Sequence, residues 1–83
     1  MNKHMTFARF DAILEELGFR KTVIPGSHVN YYHDKTDTLQ MIRLHEPDDL
    51  VPAYVLAATR LQMDGLGILD AKDFDEVFRL AAA

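Results

Sequence analysis

The stretch Phe19-Arg20-Lys21-Thr22-Val23-Ile24-Pro25-Gly26-Ser27-His28-Val29-Asn30-Tyr31-Tyr32-His33-Asp34-Lys35-Thr36-Asp37-Thr38-Leu39-Gln40-Met41-Ile42-Arg43-Leu44 decides the fold. It contains three runs rich in β-branched and aromatic residues, 19–24, 28–33 and 38–44, separated by Pro25-Gly26 and by the polar Asp34-Lys35-Thr36-Asp37. Such side chains suit a pleated, half-buried surface, and the two breaks carry turn chemistry. Connections this short join neighbouring strands as an antiparallel meander. Alternation in the middle run allows two assignments. With Val29 and Tyr31 facing inward, His28, Asn30 and Tyr32 point outward beside Arg20 and Thr22; the reverse would bury an unpaired imidazole.

Helical periodicity flanks the strands on both sides. Thr6 reads as an N-cap, followed by Phe7, Phe10, Leu14 and Leu17 as one apolar stripe with Ile13 beside it, and Gly18 as the left-handed terminator. The spacing gives a helix over 7–17. After Glu46-Pro47-Asp48-Asp49, Pro52 reads as the first residue of a second helix, with the stripe Val55, Leu56, Thr59, Met63 and a break at Gly65-Leu66-Gly67. Asp70 then caps a last helix with Asp73 at the capping-box position, Leu69 and Phe74 spaced as a staple, and Phe74, Val77 and Phe78 toward the core. The fold class is therefore α+β, in the order α-β-β-β-α-α, with helices packed on one face of a three-stranded antiparallel sheet. Its expected core is Phe7, Phe10, Leu14, Val29, Tyr31, Leu56 and Phe74, and the other sheet face is left open.

The 83 residues fit one domain, 1–83, with residues 1–5 read as unordered and Ala81–Ala83 as a frayed helix end. No Cys is present, which removes disulfides and thiolate zinc sites and agrees with a reducing, cytoplasmic setting. No apolar run approaches the ~20 residues of a membrane span, and the start carries no signal-type stretch. The net charge of −4 is unevenly spread. Residues 1–45 carry six Lys/Arg against five acids and all four His; residues 46–83 carry three Lys/Arg against eight acids. An acidic total argues against a sequence-indifferent grip on a polyanion, which needs clustered cations.

A resemblance enters through Leu14-Glu15-Glu16-Leu17-Gly18-Phe19 running into a strand, Gly26-Ser27-His28 with Tyr31 three residues on, His45 closing the third strand, Leu50 and Pro52 after it, and Phe74 in a late acidic helix. This order, covering Thr6 to Phe78, resembles the HicA-type toxins, small domains like the double-stranded-RNA-binding fold that belong to bacterial toxin–antitoxin pairs. The resemblance implies an endoribonuclease acting on mRNA, with His28 matching the family's catalytic histidine and Gly26-Ser27 the turn presenting it. It also implies a HicB-like antitoxin covering the open face. The family's usual Pro two residues before the later His is Arg43 here, and the chain is acidic where the family is commonly basic.

Imidazole takes and gives protons near neutrality, as 2′-hydroxyl attack on a phosphate requires. Beside His28, the candidate RNA contacts are Ser27, Arg20, Lys21, Asn30, Tyr32 and Arg43, with Tyr32 the aromatic free to stack on a base. The plainer reading of the same residues is a turn histidine and a solvated sheet face. His33 beside Asp34 and Asp37 has metal-ligand residue types at a spacing that matches no closed site, so a solvated hairpin turn is expected, with no metal and no cofactor. His45 reads as a loop residue bonded toward Asp48 and Asp49. Two other functions fit the same pattern: a non-catalytic module binding protein or RNA, and a self-assembling homo-oligomer whose exposed sheet edge pairs with a copy of itself.

Overall fold

In the computed structural model, residues 5–82 are described, so the sequence readings for 1–4 and for Ala83 lie outside the described residues. The elements are α1 (Phe7–Glu16), β1 (Phe19–Ile24), β2 (His28–His33), β3 (Thr38–Arg43), α2 (Ala53–Leu66) and α3 (Ala71–Ala82). The sheet runs β1-β2-β3, antiparallel throughout, with β2 central and β1 and β3 as edges. This is the α+β meander that the three short-linked runs dictate. No helix among the described residues is long and apolar enough to cross a membrane.

Thr6 caps α1 by accepting from the Arg9 N–H, and Gly18 takes φ +100 just past its end. The free N–H groups of the first turn find partners outside the helix: Phe7 donates to Asp49 O and Ala8 to Pro47 O. Val51 N donates to Met5 O in the same strap, and Thr6 bridges Leu50. Met5 is therefore ordered and buried, correcting its assignment to an unordered start. The strap also corrects Pro52. Held extended by these contacts, Pro52 has ψ 148 and serves as the N-cap of α2, and Ala53 opens the helix.

Gly65 stays within α2, and Gly67, at φ 73, ends it. Asp70 caps α3 as its position indicated, accepting from the Asp73 N–H at 2.8 Å. The buried stripe of α2 is Val55, Thr59 and Met63, one residue per turn, and Leu56 is half-buried at its margin. On α3, Phe74 and Phe78 carry the burial and stack at 4.0 Å, whereas Val77 is 37% exposed. An i, i+4 pair is enough to fill the space over α1, and Val77 falls to the side of it.

The core joins Phe7, Phe10 and Leu14 of α1, Phe19, Val29, Tyr31 and Ile42 of the sheet, and Val55, Met63, Phe74 and Phe78, with Met5 and Val51 from the strap. Strand alternation puts Val29 and Tyr31 inward, as the sequence pattern required. His33 follows them. It is only 5% exposed, which corrects the solvated-turn reading. Its Nε2 donates to Leu17 O at 3.0 Å, satisfying a terminal carbonyl of α1, and its Nδ1 lies 2.9 Å from the Thr36 hydroxyl.

Two substitutions probe this packing. Leu14→Ala should cost ~2–5 kcal/mol by opening a core cavity, read as a lower denaturation midpoint. Gly18→Ala should cost more than ~1 kcal/mol, because φ +100 disfavours any Cβ and this one would come 3.2 Å from His33 Nε2. A stability curve for Gly18→Ala that overlays the wild type would show that this close approach is absent.

Candidate functional site

The open sheet face is a three-by-three array fixed by register. Its rows across β1, β2 and β3 are Arg20-Tyr32-Leu39, Thr22-Asn30-Met41 and Ile24-His28-Arg43. Five of the seven residues named from sequence stand on it: His28, Arg20, Asn30, Tyr32 and Arg43. Ser27 adjoins them from the turn. Lys21 does not join them. It pairs with Tyr31 across the strands, so alternation turns it to the helix side, where its ammonium binds the Asp11 carboxylate. Sequence grouped Lys21 with Arg20 as phosphate contacts; neighbouring strand residues point to opposite faces.

The cations of the array differ in what they already hold. Arg20 makes a two-bond contact with Asp34, at 3.1 and 2.9 Å, and its guanidinium lies 5.2 Å from the centre of the Tyr32 ring. Hydrogen bonding to Asp34, then its charge, holds the Arg20 pKa above its ordinary value. The Tyr32 hydroxyl donates to Asp37, and this bond raises the Tyr32 pKa. One ring face of Tyr32 is thus covered by Arg20. Arg43 forms no salt bridge among the described residues, and it lies directly opposite His28 in the register. Asn30 Oδ1, at the centre of the array, has no hydrogen-bond partner.

His28 is half-buried where the Pro25-Gly26-Ser27 turn enters β2. Gly26 has φ 75, and Ser27 N donates to Ile24 O, closing the turn. Ser27 Oγ lies 2.7 Å from His28 Nδ1. If Nδ1 carries the proton and donates to Ser27, Nε2 keeps its lone pair as a base. With the hydroxyl donating instead, Nε2 is the donor. The turn serine therefore sets which tautomer of the neutral imidazole is present.

No family model, curated protein or solved structure matches the chain. The site is accordingly read from its own residues. Beyond those named from sequence, the structure adds Leu39 and Met41, 51% and 64% exposed on the open face. Their signal was present: with Gln40 and Ile42 inward, residues 39, 41 and 43 must face out. It also reveals a second polar group on the helix side. The Tyr31 hydroxyl donates to Asp11 Oδ1 at 2.7 Å and lies 3.3 Å from His45 Nε2. His45 Nδ1 donates to Arg43 O, and its ring stacks on Phe7 at 3.5 Å. That corrects the expected bond toward Asp48 and Asp49: aromatic stacking and the Tyr31 contact draw the imidazole inward. No three His, Asp or Glu side chains among the described residues are grouped to share a metal ion.

Burial first, and then the Asp11 bond, push the Tyr31 pKa well above the ordinary tyrosine value. The folded state thus holds this proton more tightly than the unfolded chain does. Its stabilisation is fully present below the ordinary tyrosine pKa and is lost as pH rises beyond it. Wild type and Tyr31→Phe should show equal phenolate absorbance up to pH ~11, because Tyr31 ionises only with unfolding. A smaller rise in Tyr31→Phe over that range would mean that Tyr31 titrates in the native protein.

Proposed function

We propose that this chain is a HicA-like RNA-cleaving toxin domain that binds mRNA on its open sheet face and uses His28 as the acid/base. The observation that carries the reading is the corner formed by Ser27, His28 and Arg43: an imidazole oriented by a 2.7 Å contact at Nδ1, with a guanidinium free of salt bridges opposite it. In this reading Nε2 takes the 2′-hydroxyl proton as that oxygen attacks the adjacent phosphorus. Arg43 then faces the charge developing on the phosphate oxygens, the P–O5′ bond breaks to leave a 2′,3′-cyclic phosphate, and the departing 5′-oxygen takes a proton from water. One such group contributes ~10²–10⁴-fold, in keeping with a slow toxin. Asn30, through its amide nitrogen, and Tyr32 would contact the nucleotides beside the cleaved bond. Arg20 would offer phosphate only the donors that Asp34 leaves free.

The exposed Leu39 and Met41 favour a protein partner on the same face, which in this reading is a HicB-like antitoxin covering Asn30 and Tyr32 as well. The net acidic α3 packs behind the sheet, and the carboxylates at the edge of the open face, Asp34 and Asp37, are held by Arg20 and Tyr32.

Expression of the wild-type chain should arrest growth and deplete mRNA, and His28→Ala should abolish both effects while leaving the circular dichroism spectrum unchanged. Harmless expression of both proteins, or equal toxicity of both, would leave a non-catalytic binding module that uses Leu39 and Met41.

A further inference from the structure

We infer that the chain forms a two-fold symmetric dimer in which β3 pairs antiparallel with β3 of a second copy, giving one continuous six-stranded sheet. β3 is an edge strand, and among the described residues no other segment pairs with its outer side. Nothing in its sequence blocks pairing: it has no proline, and Arg43 at its end is its sole charge. The other edge, β1, carries the charged side chains Arg20 and Lys21, each held in an ion pair, which disfavours pairing with a copy there.

Residues opposed across antiparallel strands point to the same face, so the register must join residues of like parity. The register centred on Gln40 satisfies the exposed groups best. On the open face it sets Leu39 of each copy against Met41 of the other, so that each shields the other on the side toward the axis. It brings Arg43 of each copy to Asp37 in the other's turn, a pairing of opposite charge that leaves further guanidinium donors toward His28. A register centred on Met41 instead sets Arg43 against Leu39.

On the helix side, Gln40 stands at the axis of this register. Its Nε2 donates to Thr59 Oγ1 at 2.9 Å, and its Oε1 is buried with no donor among the described residues. At the two-fold axis the two Gln40 amides lie side by side. Each keeps one amide N–H after Thr59. The Gln40–Thr59 bond also puts the middle of α2 on the same axis. There α2 presents Ala58, small enough for close approach, between exposed Tyr54 and Leu61, and Tyr54 of one copy meets Leu61 and Gln62 of the other. Strand and helix thus call for one axis.

The test uses the full chain. By sedimentation equilibrium the wild type should be a dimer at about 100 μM, and Met41→Lys should raise the dissociation constant at least about 10-fold without altering the circular dichroism spectrum. The chain has no cysteine, so introduced ones report cleanly. Leu39→Cys mixed with Met41→Cys should cross-link on mild oxidation more completely than either variant alone. A wild type that stays monomeric at about 1 mM, a dimer indifferent to Met41→Lys, or cross-linking no better in the mixture than in the single variants would overturn the inference. None of these outcomes depends on RNA cleavage by His28.

Discussion

Tyr31 is the side chain on which the rest of the structure depends. It stands in the central strand, 1% exposed, with its ring edge-on to Phe10 at 6.0 Å. A tyrosine can be buried at this depth only if its hydroxyl finds partners. Asp11 on α1 accepts its proton, and His45 Nε2, from the segment after β3, lies 3.3 Å from its oxygen. One phenol therefore ties the first helix, the middle strand and the strap that leads into α2. Lys21 binds the same Asp11 carboxylate, bringing the β1 edge into the set. Since Tyr31 must point inward, His28, Asn30 and Tyr32 must point out.

The open face that results is close to charge balance. Arg20 is matched by Asp34, and the Tyr32 hydroxyl is matched by Asp37, both within the β2–β3 turn. What stays unmatched is concentrated in two places. One is the Ser27-His28-Arg43 corner, and the other is the β3 edge, where Leu39 and Met41 are exposed. An acidic chain can still meet phosphate at a single corner, because short-range contact with one guanidinium is decided locally and distant charge is screened beyond about 10 Å. A matched surface elsewhere limits indiscriminate binding, so a face of this kind favours a few placed contacts over a broad electrostatic grip.

Much of the fold was legible because its signals are local. Thr6 and Asp70 cap helices through bonds to residues three positions on, and Gly18 and Gly67 end helices through their own backbone torsions. Inward Val29 and Tyr31 followed from alternation and the cost of burying His28. The misreadings share one cause. Pro52, Met5, His33 and His45 are each placed by a residue distant in the chain: Pro52 and Met5 by the strap at Val51, His33 by the Leu17 carbonyl, and His45 by Phe7 and Tyr31. A polar residue in a turn and a polar residue capping a distant helix carry the same local pattern.

The sequence by itself determined the element order, the antiparallel meander, the outward direction of His28, Asn30 and Tyr32, and the left-handed glycines. These depend on side-chain period and on torsions that a few neighbouring residues decide. Only the tertiary structure decided which charges were already spent and which faced one another. Arg20 and Lys21 are adjacent in sequence, yet they fall on opposite faces and bind acids 14 and 10 residues away. Arg43 meets His28 because the β2–β3 register aligns them. Gln40 keeps an unpartnered oxygen because its amide nitrogen reaches Thr59 on a helix packed against the sheet. Register and packing join groups across the chain, and the energy of an ion or an amide depends on those joined groups.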